Sequence, residues 1–171
     1  MEVPVPELEH LVTAAVNAAL DDLVAMRTDE GAALTRDLRD RIAKLDRNLA
    51  RIRETAASMR TQIDRRLRER VETLLRPGEI DENRLAMEIV MVAERADITE
   101  EVVRFESHNQ QFLAALDEGG EVGRRLNFLL QEINREANTI SSKSSDIGVT
   151  HLVVEIKEEV ERLREQVQNL A

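Results

Sequence analysis

The sequence has no cysteine, no tryptophan and no tyrosine. Without thiols there are no disulfides and no thiolate metal sites, which fits a reducing compartment. Phe105, Phe112 and Phe128 are the only aromatic residues, so the core must be aliphatic and no aromatic platform exists for stacking bases. Six glycines and three prolines in 171 residues leave few points where a helix is forced to stop. No run of about 18 apolar residues occurs, so no membrane span is predicted. No basic-then-apolar leader opens the chain, and its expected location is cytoplasmic. A Gly-rich phosphate loop, an HExxH helix, zinc-ligand spacing and a nucleophilic triad are also missing.

What is present is the composition of long helices, rich in Ala, Glu, Leu and Arg. The formal net charge of −10 argues against a nucleic-acid partner, because phosphate repels an acidic surface. Its distribution weakens that argument. Residues 36–76 hold 13 of the 24 Lys and Arg and only 7 of the 34 acids. One basic element thus coexists with an acidic remainder. Such a division suits an enzyme that grips phosphates and holds cations, and equally suits a solvated coiled coil.

Residues 7–26 place Leu8, Leu11, Val12, Ala15, Ala19, Leu23 and Met26 at three and four spacing, predicting an amphipathic helix. Thr28-Asp29-Glu30-Gly31 is expected to interrupt or bend it. From Leu38 a heptad seam runs through Ile42, Leu45, Leu49, Ile52, Ala56, Met59 and Ile63. The two following steps of four, to Leu67 and Val71, form a stutter. This helix, about 60 Å long at 1.5 Å per residue, is expected to end at Pro77-Gly78. Beyond it come DENRLAMEIVMVAER, capped by Asp81, a helix capped by Thr99 and running to about Leu116, and Glu118-Gly119-Gly120 as its end. A further helix from Val122 buries Leu126, Leu129, Leu130, Ile133, Ala137 and Ile140. The last, residues 150–170, carries Val153, Ile156, Val160, Leu163, Val167 and Leu170. The predicted class is all-α: a long antiparallel coiled-coil hairpin over residues 1–78 joined to a small helical bundle over 79–171.

The segment QEINREANTISSKSSD, residues 131–146, stands out because Asn, Ser and Thr weaken helices. On a helical wheel Arg125, Glu132, Glu136, Thr139 and Lys143 share one stripe, and Gln131, Arg135, Asn138 and Ser142 another. Glu132 and Glu136, one turn apart, can present hard oxygen ligands to Mg²⁺ or Mn²⁺, the usual aid to phosphodiester cleavage. An acidic i,i+4 pair merely bordered by cations is the plainer alternative. His151 and Glu155 form a second pair suited to metal ligation or acid and base work, or are simply surface residues. Glu101, Arg104 and His108 share a third face, with Arg95 and Asp97 one turn before it. The serines of 141–145 serve a connector equally well.

The strings VGRRLNFLLQEINREANTISSKSSD, ERADITEEVVRFESHNQQF and HLVVEIKEEVERLREQVQNL resemble, in that order and spacing, the C-terminal part of the YicC-like (YicC/YloC) family. MRTDEGAALTRDL is similar to the segment before that family's long helices. The resemblance implies a metal-dependent endoribonuclease acting on RNA, small regulatory RNAs included, and assembling as a homo-hexamer. The family carries an N-terminal α/β domain ahead of the helices, and Met1 falls almost where that domain would finish. The family's functional stretches correspond to Arg27 and Glu30; to Arg95, Asp97, Glu101, Arg104 and His108; and to Arg125, Glu132, Arg135, Glu136, Asn138, Lys143, His151 and Glu155.

From chemistry, Glu132 and Glu136, with Asp97, Glu101 or Glu155, are expected to hold the divalent ion. His108 or His151 serves as acid or base. Arg27, Arg95, Arg104, Arg125, Arg135, Asn138 and Lys143 bind RNA. A non-catalytic oligomerisation scaffold and an RNA-binding adaptor are the competing classes.

Overall fold

In the computed structural model, residues 5–74 and 81–168 are described. The order is α1 (Val5–Leu74), α2 (Glu82–Arg95), α3 (Thr99–Glu118), α4 (Gly123–Lys143) and α5 (Ile147–Gln168). No strand occurs among the described residues, and none of their helices is long and apolar enough to cross a membrane. The all-α expectation therefore holds. Two compact units are defined, Met1–Arg39 and Asp40–Ala171. The expected boundary at 78/79, the stop at Pro77-Gly78, and Leu170 lie outside the described residues, as does the side chain of Met59.

Of the interruption or bend expected at Thr28–Gly31, the interruption does not occur, and α1 runs through it. One internal glycine costs a helix only about 1 kcal/mol. The local hydroxyls also adapt to the helix, with Thr28 Oγ1 donating to Val24 O and Thr35 Oγ1 to Gly31 O, both at 2.8 Å. Residues 5–74 are thus one continuous helix, and the elements that pack on its residues 40–74 come from later in the sequence.

Within the second unit, Ile42, Leu45, Leu49 and Ile52 are buried, as the heptad seam predicts. Their partners are α3 and α5. Asn109 Nδ2 of α3 donates to Asp46 Oδ1 at 2.7 Å, and Asn48 Nδ2 donates to Glu155 Oε2 at 3.2 Å. Arg41 and Lys44 meet Glu159 of α5 at 2.5 and 2.7 Å. Arg53 of α1 pairs with Glu106 of α3 at 2.5 Å, so toward both α3 and α5 the α1 number rises as the partner's falls, and both helices run antiparallel to α1. The chain returns once more at α2, where Arg68 pairs with Glu82 at 3.2 Å.

All six apolar residues predicted for α4 are buried, together with Val153, Ile156, Val160, Leu163 and Val167 of α5. At about 1.5–3 kcal/mol per buried large side chain, these stripes outweigh the poor propensity of the amides on α4. Phe105 and Phe112 are fully buried, and Phe128 is exposed.

The termini explain the register. Asp81 caps α2 as predicted, accepting from the backbone N–H of Asn83 and Arg84. Thr99 is the first residue of α3 and not its cap; the cap position is Ile98, which makes no side-chain cap bond, and Asp97 Oδ1 just before it accepts from Thr99 N at 2.8 Å and Thr99 Oγ1 at 2.6 Å. Gly119 and Gly120 take φ of 66° and 76°, a conformation that costs other residues dearly, and the chain reverses there into α4. Helix α5 starts three residues earlier than expected, because Asp146 Oδ1 accepts from Val149 N at 3.0 Å.

Candidate metal and RNA site

Helices α3 and α4 lie antiparallel, and the stripes singled out in the sequence face one another. Three rungs connect them. Lys143 Nζ reaches Glu101 Oε1 at 2.9 Å, Arg104 stands 4.0 Å from Glu136, and His108 meets Glu132 and Glu136. In the last group one atom from each residue lies within 4.8 Å of the other two, a spacing compatible with a common metal ion.

The electrostatics of this rung differ from those of an ordinary helix surface. Glu136 is 3% exposed, and at 4.0 Å the Arg104 guanidinium offers it charge but no hydrogen bond. Arg104 is itself held by Glu100 one turn back. Glu132 is half-buried and accepts from Arg135 at 3.3 Å. His108 Nδ1 is buried without a hydrogen-bond partner among the described residues. Such an orphaned atom costs about 1–3 kcal/mol unless something absent from the protein satisfies it. An imidazole nitrogen and two carboxylates form a ligand set suited to a divalent ion, and the residues present therefore fit one.

The rung nearest the α3 start is chemically different. Lys143 Nζ also donates to Asp97 O at 3.0 Å, joining the end of α4 to the turn before α3. Hydrogen bonds from the Thr99 hydroxyl and amide, reinforced by the Lys143 charge, hold the Asp97 carboxyl below the usual carboxylate range. Glu101 is buried and one of its oxygens has no partner among the described residues. Asp97 and Glu101 are thus engaged with the start of α3 and a lysine rather than grouped with Glu132 and Glu136.

Other candidates lie elsewhere. His151 and Glu155 are exposed on α5 and are not members of the His108 group. Arg125 pairs with Glu118 across the glycine turn. Arg95 and Asn138 are exposed. Arg27, also exposed, belongs to the first unit.

Two features escaped the sequence. His108 lies beside Glu132 and Glu136, a meeting that its spacing along α3 could not show. Glu159, 2% exposed, sits in the α5 seam where periodicity calls for an apolar neighbour. Burial pushes its carboxyl up, but the hydrogen bonds from Lys44 and Arg41 outweigh that and leave it below the ordinary value.

An all-helical chain with a His and two carboxylates gathered between facing helices, bordered by arginines, defines a candidate metal-assisted phosphoryl site. The family model described as "Endoribonuclease YicC-like, C-terminal" matches residues 52–171, and the chain belongs to that family. It is 43% identical to "Probable endoribonuclease YicC" of Clostridioides difficile (strain 630) over 169 residues, 96% of this chain and 58% of that protein. To the protein of the same name from Haemophilus influenzae (strain ATCC 51907 / DSM 11121 / KW20 / Rd) it is 36% identical over 152 residues, 88% of this chain and 52% of that one. The chain therefore spans just over half the length of these relatives.

Proposed function

We propose that the chain is a metal-dependent endoribonuclease that hydrolyses RNA phosphodiester bonds at the α3–α4 interface, with small regulatory RNAs among its substrates. The observation that carries this reading is the His108–Glu132–Glu136 group, because its buried, unpartnered imidazole nitrogen and paired carboxylates match the needs of a cation. Family membership and the naming of two relatives as probable endoribonucleases support the reaction class.

Those three residues would hold Mg²⁺ or Mn²⁺, and the imidazole favours Mn²⁺, the softer of the two. The ion would supply Lewis acidity and neutralise charge developing on the scissile phosphate. The protein's own groups bind and orient. Arg104 and Arg135, each beside one of the carboxylates, offer guanidinium forks to adjacent phosphates. Lys143, Arg95, Arg125 and Asn138 extend that contact along α2, α4 and their ends, while Arg27 and the basic stretch 36–76 attract the strand electrostatically. Asp97 and Glu101 fix Lys143 and the start of α3, which keeps the two faces in register. Glu155 supports α1 through Asn48.

The working form is a homo-oligomer, a hexamer if the family resemblance extends to assembly, and the cysteine-free sequence suits the cytoplasm. The test is cleavage of a labelled RNA in Mn²⁺ and in EDTA, alongside Glu136→Gln. Cleavage that survives both EDTA and the substitution would remove this site from the reaction.

A further inference from the structure

A polar groove opens between α4 and α5, on the side of α4 away from α3. Its floor is apolar, made by the buried Leu130 and Val160. Gln131 and Asn134 of α4, with Lys157, Glu161 and Arg164 of α5, line the rest of a cavity of about 190 Å³. Among the described residues, the side chains of Gln131, Asn134 and Lys157 have no hydrogen-bond or ion-pair partner. Arg164 stands 3.8 Å from Glu161, near enough for charge and too far for a hydrogen bond. Asn134 is half-buried, so it weakens its helix and gains no bond within the protein in return.

The acids elsewhere on these two helices are engaged away from the cavity. Glu132 and Glu136 meet His108, Glu155 and Glu159 bond to α1, and Glu158 pairs with Arg162. Glu165 is exposed and outside the lining. The lining itself sets two cations against one acid, a local excess of positive charge on an acidic chain.

This chemistry narrows the occupant. The cations call for an anion, and the amides offer a donor and an acceptor together, as base edges and ribose hydroxyls require. Lys157 and Arg164 are two turns apart, about 10 Å at 1.5 Å per residue, which suits different phosphates of one strand better than a lone phosphate. The cavity is smaller than the roughly 300–1,000 Å³ of a drug-sized site and suits one nucleotide of a longer chain. Gln131 precedes Glu132, so the groove and the His108 group flank a single helix, about 10–12 Å thick with its side chains. Between them runs the exposed stripe of Gln131, Arg135 and Asn138, with Arg135 donating to Glu132 at 3.3 Å.

We infer that the α4–α5 groove holds an unpaired stretch of RNA, with Lys157 and Arg164 on its phosphates and Gln131 and Asn134 on a ribose or base edge. The strand then crosses the exposed stripe of α4 to reach the His108 group. The inference rests on the nuclease reading above for its substrate class, and adds a binding site outside the reacting centre.

The experiment is anisotropy of a labelled single-stranded RNA with the full chain in EDTA, with circular dichroism confirming that each variant keeps its helices. Lys157→Gln combined with Arg164→Gln should weaken binding roughly tenfold. It should also flatten the slope of log affinity against log salt by about 1.4, two phosphate contacts at about 0.7 each. Asn134→Leu should weaken binding several-fold and leave the slope as it is, since it touches no phosphate. Glu161→Gln removes the acid of the lining and should tighten binding roughly threefold.

Wild-type affinity and slope in the double variant overturn the inference. A loss of affinity with the slope unchanged overturns it too, because that marks a structural role. So does a mononucleotide that displaces the strand at equal concentration, which would assign the groove to a small ligand. RNA binding with the expected responses but without metal-dependent cleavage keeps the groove and removes the nuclease reading. Cleavage alongside unaltered binding in every groove variant does the opposite.

Discussion

Arg104 of α3 stands 4.0 Å from the buried carboxylate of Glu136 on α4, close enough to neutralise its charge and too far to satisfy it. A cation and this guanidinium therefore compete for the same oxygen. At 4 Å in water the attraction is about 1 kcal/mol, so Arg104→Gln should tighten Mn²⁺ binding roughly fivefold while weakening RNA binding. Calorimetry with Mn²⁺ alone and anisotropy of a labelled RNA separate the two effects. Equal loss of both would make Arg104 a purely structural residue.

Glu136→Gln keeps the shape of the side chain and removes its charge. Removal of a positioned electrostatic group typically lowers turnover by about 10²–10³, and a drop of that size is expected here without a change in helicity. His108→Ala should lower Mn²⁺ affinity more than Mg²⁺ affinity, because imidazole contributes less to the harder ion. Metal-dependent rates across an Mn²⁺ series read this out.

Among the described residues, Lys143 is the charged partner of the buried Glu101. Lys143→Met strands that carboxylate and should cost about 2–4 kcal/mol, after allowance for the partial exposure of the lysine. Adding Glu101→Leu removes the stranded charge and should recover most of the loss. Urea denaturation of the two single variants and the double variant measures the coupling.

Glu159 anchors α5 to Arg41 and Lys44 of α1. Its carboxyl is held below the ordinary 4.5. The stabilisation is therefore fully present above that value and is lost as pH falls through the lower, folded-state one. Glu159→Gln should cost about 1–3 kcal/mol at pH 7, and the gap from wild type should narrow on acidification below pH 4.5. A gap independent of pH would assign the loss to packing instead.

The helical class and the buried stripes of α1 and α4 were legible because apolar spacing survives translation into burial, whereas the core residues of α3, Phe105 and Phe112 among them, were not picked out and break the expectation of an aliphatic core. The six predicted residues of α4 are inside, and so are Ile42, Leu45, Leu49 and Ile52. No interruption occurs at Thr28–Gly31 because turn-forming residues carry only a small penalty inside a long helix. Thr99 was misread as a cap; it is the first residue of α3, and its amide and hydroxyl bond to Asp97 two residues earlier. Of the candidate site, Glu132 and Glu136 were visible as neighbours on one helix, and Glu101, Arg104 and His108 as neighbours on another.

By itself, the order of residues determined which faces are apolar, where α2 begins, that the chain reverses at Gly119-Gly120, and which side chains carry charge. Those follow from local geometry, which reaches only one or two turns along a helix. Only the tertiary structure decided that His108 meets Glu132 and Glu136, that Lys143 closes on Glu101, and that the seam of α1 packs on α3 and α5. Such meetings depend on how separate helices pair, and a heptad stripe records the need for a partner without saying which one it will be.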